Sequence, residues 1–251
     1  MKEIITAKLA EMEIKENIRV IHAVESGSRA WGFASPDSDY DVRFIYVRPK
    51  EFYLKLERTR DVIEWQLDAT LDINGWDLQK ALRLLHSSNP TLFEWNNSPL
   101  VYKTTDEWAE IAKEINNYFS ARSGLNHYLS TANSNYREYL KCDLVRLKKY
   151  FYVIRPLLAC KWILAKKSPP PMLFSELAKA MLESEMKPVV DDLLKLKMNM
   201  PEMGEGKRID KLNEYIGANL ISLKVTIDAL PKEHKADWDR LNELFLSVIG
   251  K

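Results

Sequence analysis

Cysteine is nearly absent from this chain of 251 residues; Cys142 and Cys160 are the only two, and they form no paired motif. That excludes a disulfide framework or a cysteine-based zinc site, and both read as reduced helix residues. The four histidines (His22, His86, His127 and His234) are scattered and form no ligand set. His22 falls in phase with Val20 and Val24 on an apolar run and reads as structural. Excess charge of either sign is also lacking. The 37 Lys and Arg residues against 36 Asp and Glu leave a net charge of +1, which argues against a broad duplex-binding surface. No long apolar run is present either. The most apolar later segment is interrupted by Arg155 and Lys161, so no membrane span is expected. Residues 1–8 lack the apolar stretch of a signal peptide, and a cytoplasmic enzyme is the expectation. There is no internal repeat and no low-complexity tract. With 46% hydrophobic residues, the chain can bury the core of one large or two small domains.

What is present is concentrated near the N-terminus. Ser26-Gly27-Ser28-Arg29-Ala30-Trp31-Gly32 is followed by Asp39-Tyr40-Asp41-Val42, which starts eleven positions after Ser28. A Gly-Ser turn can present bare backbone N–H groups to a phosphate, because Gly27 carries no Cβ and tolerates positive φ. Residues 18–25 read as a strand leading into this turn, and 26–31 as the turn with a short helix start. Residues 35–38 form a turn cluster, and 39–47 read as a second strand. On that strand Tyr40, Val42, Phe44 and Tyr46 share one face, and Asp39, Asp41 and Arg43 the other. Two carboxylates side by side repel unless a hard cation lies between them, and Mg²⁺ is the usual one beside substrate phosphates. A phosphate cradle and an acidic pair at this spacing equip a protein to handle a nucleoside triphosphate.

Residues 25–43 resemble the signature of the DNA polymerase β superfamily of nucleotidyltransferases: a Gly-Ser or Gly-Gly turn, a gap of about ten residues, then Asp-x-Asp on a strand. Within that superfamily the chain resembles the bacterial and phage nucleotidyltransferases associated with RNA repair. Residues 71–78 and 148–158 add to the likeness, which spans roughly 18–175. The resemblance implies a third carboxylate from a later strand, with Glu64, Asp68, Asp72 and Asp77 as candidates. Asp77 follows the turn signal Asn74-Gly75 and opens a helical pattern, so it reads as an N-terminal helix acid. Asp68 precedes the strand and reads as loop. Asp72, between Leu71 and Ile73 on an extended run, fits the third position. The implied catalytic and metal residues are therefore Asp39, Asp41 and Asp72, with Mg²⁺, or Mn²⁺ in its place, as the cofactor.

A basic stretch completes the picture. Between Arg137 and Lys167 there are nine basic residues against two acids, Glu138 and Asp143. On one helix over 136–166, Arg137, Lys141, Lys148 and Arg155 would fall within a window of about 40°. An apolar stripe of Leu140, Leu144, Leu147, Phe151, Ile154 and Leu158 would lie beside them. Pro156 should end or kink that helix at Arg155. The resemblance implies Gly27, Ser28, Arg29, Lys148, Lys149 and Arg155 as nucleotide-binding residues. Arg137 and Lys141 are candidates for an RNA acceptor, and Tyr136, Tyr139 and Tyr150 for base stacking.

The expected architecture is α+β, a small mixed β-sheet unit of polymerase β type followed by an all-helical bundle. Residues 1–103 would form the catalytic domain, beginning with an amphipathic helix that turns Ile4, Ile5, Leu9 and Met12 to one side. Residues 104–251 would form a helical domain completing the nucleotide cleft, with a rigid break at 168–172 and a loop at 200–206. The activity implied is transfer of a nucleoside monophosphate from a triphosphate to an acceptor hydroxyl, with an RNA end as one acceptor. A small molecule or a protein as acceptor, or a nucleotide sensor without turnover, is compatible with the same motif.

Overall fold

The structure is a computed structural model that describes residues 1–57, 59–68, 70–199, 204–231, 233 and 236–250, with the side chains of 66–68 left aside. His234 and residues 200–203 of the expected loop lie outside the described residues. In chain order the first elements are α1 (Lys2–Glu16), β1 (Arg19–Glu25), α2 (Gly27–Ala30), β2 (Tyr40–Val47) and α3 (Lys50–Tyr53). Then come β3 (Val62–Asp68), β4 (Leu71–Asp77), α4 (Leu78–His86), α5 (Pro90–Asn96), β5 (Val101–Thr104) and α6 (Asp106–Ile115). The remainder is α7 (Ala121–Tyr139), β6 (Leu144–Arg146), α8 (Lys149–Lys166), α9 (Phe174–Met181), α10 (Lys187–Asn199), β7 (Glu205–Lys207), α11 (Asp210–Asp228) and α12 (Asp239–Ile249). The chain is α+β, as expected.

Two compact units divide it. The first holds Met1–Ala30, Asp39–Tyr118 and Lys235–Lys251; the second holds Trp31–Ser38 and Phe119–His234. Helices α6 and α12, both beyond residue 103, therefore belong with the sheet, whereas the loop Trp31–Ser38 belongs with the helices.

The first unit is built on a five-stranded sheet of order β3-β4-β2-β1-β5. Strands β2 and β4 run parallel, and every other pairing is antiparallel. Helix α1 stops because Asn17 adopts a left-handed conformation (φ 49°) and Ile18 N–H returns to the Glu13 carbonyl at 3.0 Å, which redirects the chain into β1. Ile5, Leu9 and Met12 pack on Val20, Phe44, Tyr46 and Ile73. Ile4, expected among them, is 53% exposed. Each large side chain buried this way contributes about 1.5–3 kcal/mol. Helices α4 and α6 pack against the strands as well, and β1 is buried along nearly its whole length.

Asn74-Gly75, read as a turn from sequence, is strand interior instead. Gly75 pairs with Phe44, and a Cβ on it would lie 2.2 Å from that ring. The glycine is there to seat an aromatic ring, not to turn the chain. Asp77, by contrast, does cap α4, accepting the Gln79 N–H at 2.8 Å.

In the second unit α8 is the central helix, with Tyr150, Phe151, Ile154, Leu157, Leu158 and Ile163 in the core. The single helix expected over 136–166 does not form. The chain leaves α7 at Leu140, and β6 pairs with β7 in the register Val145↔Gly206. Leu144 is 62% exposed and Val145 only 2%, the alternation of a strand. Arg137, Lys141, Lys148 and Arg155 consequently share no helix face. Pro156 lies inside α8, which runs on to Lys166 and ends at left-handed Lys167 (φ 54°). Cys160 is on α8, but Cys142 falls after α7 rather than within a helix. The loop Trp31–Ser38 is held through Phe33, which packs against Phe151 and Phe174, and through Lys197, which donates to Ser35 Oγ at 2.9 Å.

Candidate active site

The turn between β1 and β2 is tied to the second aspartate of the Asp-x-Asp pair at three points. Ser26 N–H donates to the Asp41 carbonyl at 2.8 Å, and Asp41 N–H donates to Glu25 Oε1 at 2.7 Å. The third point is steric. Gly27 has φ +59°, and a Cβ on it would stand 2.1 Å from Asp41 Oδ2. Only glycine satisfies both the dihedral and the approach. Ser28 and Arg29 follow on α2. The Arg29 guanidinium lies 3.7 Å from the centre of the Tyr40 ring, and its Nε donates to the Asp39 carbonyl at 3.1 Å.

The parallel register of β2 and β4 sets Asp41 opposite Asp72. Arg43 Nη2 donates to Asp41 Oδ1 at 2.9 Å and to Asp72 Oδ2 at 2.8 Å, so one nitrogen joins the two carboxylates. Asp39 lies just ahead of β2 and is exposed. Burial raises the Asp41 carboxyl above its ordinary range; Arg43 opposes the rise, while the charges of Asp72 and Asp39 add to it. All three acids thus act on one locality, although the structure pairs only Asp41 and Asp72 directly.

Among the described residues, no group of three or more His, Cys, Asp or Glu side chains is arranged as a ready metal site. The donor chemistry nonetheless fits a hard divalent cation. It consists of carboxylate oxygens, with the Asp41 and Asp72 side chains 30% and 48% exposed.

Glu25 is the residue that sequence reasoning passed over. It is fully buried, and its carboxylate accepts the Asp41 N–H and the Tyr102 hydroxyl. Burial pushes the Glu25 carboxyl up, and the two hydrogen bonds partly offset that rise. An acid at the end of a strand that is buried along nearly its whole length was the available signal. Tyr102 comes from β5, a short strand without a signature of its own.

The remaining candidates are placed as follows. Glu64 is engaged by Arg60 on the surface. Asp68 is the last residue of β3, not loop, and its side chain lies outside the description. Within the helical unit, Lys148 precedes α8 as its N-cap. Lys149 Nζ lies over the rings of Tyr139 (4.0 Å) and Tyr152 (4.8 Å). Burial and then the neighbouring Lys148 charge lower its pKa. Lys141 Nζ lies 5.9 Å from the Tyr136 ring. The Tyr150 hydroxyl is committed to Asn213 and to the Ile209 N–H, and the residue is buried, so it offers no stacking face. Arg155 is 3% exposed, with its guanidinium over Trp31 at 4.7 Å and directed to the Met172 carbonyl at 3.5 Å. The helix does not end at Arg155 as Pro156 suggested; α8 continues to Lys166.

Comparison with known proteins bears on what this arrangement is. A Bacillus subtilis (strain 168) protein, "Uncharacterized protein YcgL", is 41% identical over 251 residues, covering 99% of this chain and 96% of that protein. A solved nucleotidyltransferase-like protein from Exiguobacterium sibiricum 255-15 aligns over 90% of this chain and 75% of its own at 14% identity. Its TM-score of 0.32 is too low to carry an argument. Residues 1–247 match the family described as RlaP, RNA repair pathway DNA polymerase beta family. With that match spanning nearly the whole sequence, the chain belongs to this polymerase β-like nucleotidyltransferase family.

Proposed function

We propose that the protein transfers a nucleoside monophosphate from a nucleoside triphosphate to the 3′- or 5′-terminal hydroxyl of an RNA. The bond between the acceptor oxygen and the α-phosphorus forms as the bond from that phosphorus to the bridging oxygen breaks; the acceptor hydroxyl gives up its proton with help from the Asp72 carboxylate, and pyrophosphate leaves. The observation that carries this reading is the parallel β2–β4 pairing, which sets Asp72 beside Asp41 at the Gly27 turn. Asp41 and Asp72, with Asp39 beside them, would hold Mg²⁺ or Mn²⁺. The chemistry a bound divalent cation supplies there is a lowered acceptor pKa and compensation of charge on the entering and leaving oxygens. The backbone of Gly27 and Ser28 would meet the phosphates, and Arg29 would offset pyrophosphate charge. The resemblance also assigns Lys148, Lys149 and Arg155 to the triphosphate. The RNA acceptor rests on the family description, which names an RNA repair pathway.

The test is incubation with each labelled triphosphate, a divalent cation and total RNA. Label should enter RNA with the wild type. Asp39→Asn, Asp41→Asn and Asp72→Asn should each lower the rate by at least about two orders of magnitude, the cost typical of losing a group that stabilises transition-state charge. Full turnover in a folded Asp41→Asn or Asp72→Asn variant removes the assignment. Label appearing only in a small molecule or in protein replaces the RNA acceptor.

A further inference from the structure

Arg43 does more than sit beside the acids. Its guanidinium makes four contacts: Nη2 with Asp41 Oδ1 and Asp72 Oδ2, and Nη1 with the carbonyls of Val42 at 3.1 Å and Asp72 at 3.2 Å. Its side chain is 19% exposed, less than either carboxylate it holds. The carbonyl contacts aim the fork, and the fork in turn takes one oxygen from each acid. Those are oxygens of the same two side chains that the proposed function assigns to the divalent cation.

Two facing carboxylates without a cation repel each other. Arg43 offsets that repulsion by placing one guanidinium nitrogen between them. A guanidinium and a divalent cation at the same pair of oxygens repel each other strongly. They exclude each other from that position, and a planar, delocalised, weakly hydrated guanidinium is suited to holding a carboxylate pair in the metal-free protein.

We infer that Arg43 is a built-in counter-ion that occupies the Asp41–Asp72 carboxylate pair and must be displaced for a divalent cation to bind, so that it holds the acids in place and sets the cation affinity of the site. This rests on the reading of Asp41 and Asp72 as the cation ligands. Arg43 is accordingly a positioning residue, and its role is readable without turnover.

The experiment measures Mn²⁺ binding by calorimetry, without nucleotide, on wild type, Arg43→Gln and Asp72→Asn. Removing one like charge at contact range should tighten Mn²⁺ binding in Arg43→Gln by about tenfold or more, and Asp72→Asn should abolish it. In EDTA the Arg43→Gln protein should melt below wild type, because Asp41 and Asp72 lose their counter-ion. Mn²⁺ should then raise its melting temperature by more than it raises that of wild type. Binding that Asp72→Asn abolishes but Arg43→Gln leaves unchanged or weakens overturns the role of Arg43 alone. Binding that is absent in both wild type and Arg43→Gln, or indifferent to Asp72→Asn, overturns the cation reading together with it. Should Arg43→Gln fail to fold, nitrogen-labelled wild type decides. The Arg43 guanidinium resonances should move towards those of a solvated arginine as Mg²⁺ is added. Resonances that stay fixed while the acids bind the cation refute the displacement.

Discussion

Gly27→Ala tests the clamp between the turn and β2 without reference to catalysis. At φ +59° an alanine adopts a left-handed conformation that costs about 1–2 kcal/mol. Its Cβ would also stand 2.1 Å from Asp41 Oδ2, far inside any non-bonded contact, so the carboxylate must swing away. The Asp41 backbone is held by Ser26 and Glu25, which leaves the side chain to move and its ion pair with Arg43 to break. With both partners only part-exposed, that pair is worth about 1–2 kcal/mol. The total is about 2–4 kcal/mol, a melting temperature lowered by about 5–10 °C for a chain of this length. The assay is calorimetric melting of wild type, Gly27→Ala, Asp41→Ala and the double variant. With Asp41 cut back to alanine, the nearest remaining side-chain atom is its Cβ at 3.5 Å, an ordinary contact. In that background Gly27→Ala should cost only the backbone term, so the two substitutions should couple by about 1–2 kcal/mol. Equal costs in both backgrounds would refute the steric argument.

Gly75→Ala should destabilise the first unit by about 1–3 kcal/mol through overpacking against the Phe44 ring, read as a lowered urea midpoint; an unchanged midpoint means the ring turns aside freely. His22 supplies a pH prediction. Burial lowers its pKa from 6.5 to about 4, so between those values the unfolded chain takes up a proton that the folded one refuses. Stability should therefore fall as pH drops from about 6.5 to 4 and level off below, a loss of about 3 kcal/mol from this residue. His22→Phe should remove that part of the acid slope while keeping a ring against Trp108, on which His22 stacks at 4.5 Å; parallel slopes for the two proteins would show that the imidazole takes up its proton equally in the folded and unfolded chain and refute the prediction.

The first unit was legible where a short period and burial agree. β1 and β2 read as strands because apolar residues recur along them with turn signals between them. The cap at Asp77 was legible because a helix start is written in a few consecutive residues. Gly75 misled because glycine marks both turns and close approaches; only the Phe44 ring across the strand pair tells them apart. The segment 140–148 misled for a related reason. Its leucines carry a helical spacing, but Val145 is recruited by Gly206 some sixty residues later, and a partner so distant leaves no local trace. Proline at 156 signals a helix end in isolation. Inside a helix whose Arg155, Leu157 and Leu158 are all buried, tertiary packing outweighs the lost hydrogen bond.

The acids were legible for a narrower reason. A Gly-Ser turn and an Asp-x-Asp pair are neighbours in the chain, whereas Asp72 follows from a resemblance that asks for a third acid and from its place on an extended run. What holds those acids and sets their charge is spread over four strands: Glu25 on β1, Arg43 on β2, the backbone of Asp72 on β4 and Tyr102 on β5. None of these has a motif, because a buried acid or a bridging arginine is defined by what it faces. Arg43 is the instructive case. Its place on the acidic face of β2 follows from counting residues by twos, and from that alone it reads as one partner for Asp41. Only the parallel register carries it to Asp72 as well, and that second contact lets one guanidinium nitrogen join carboxylates from two strands.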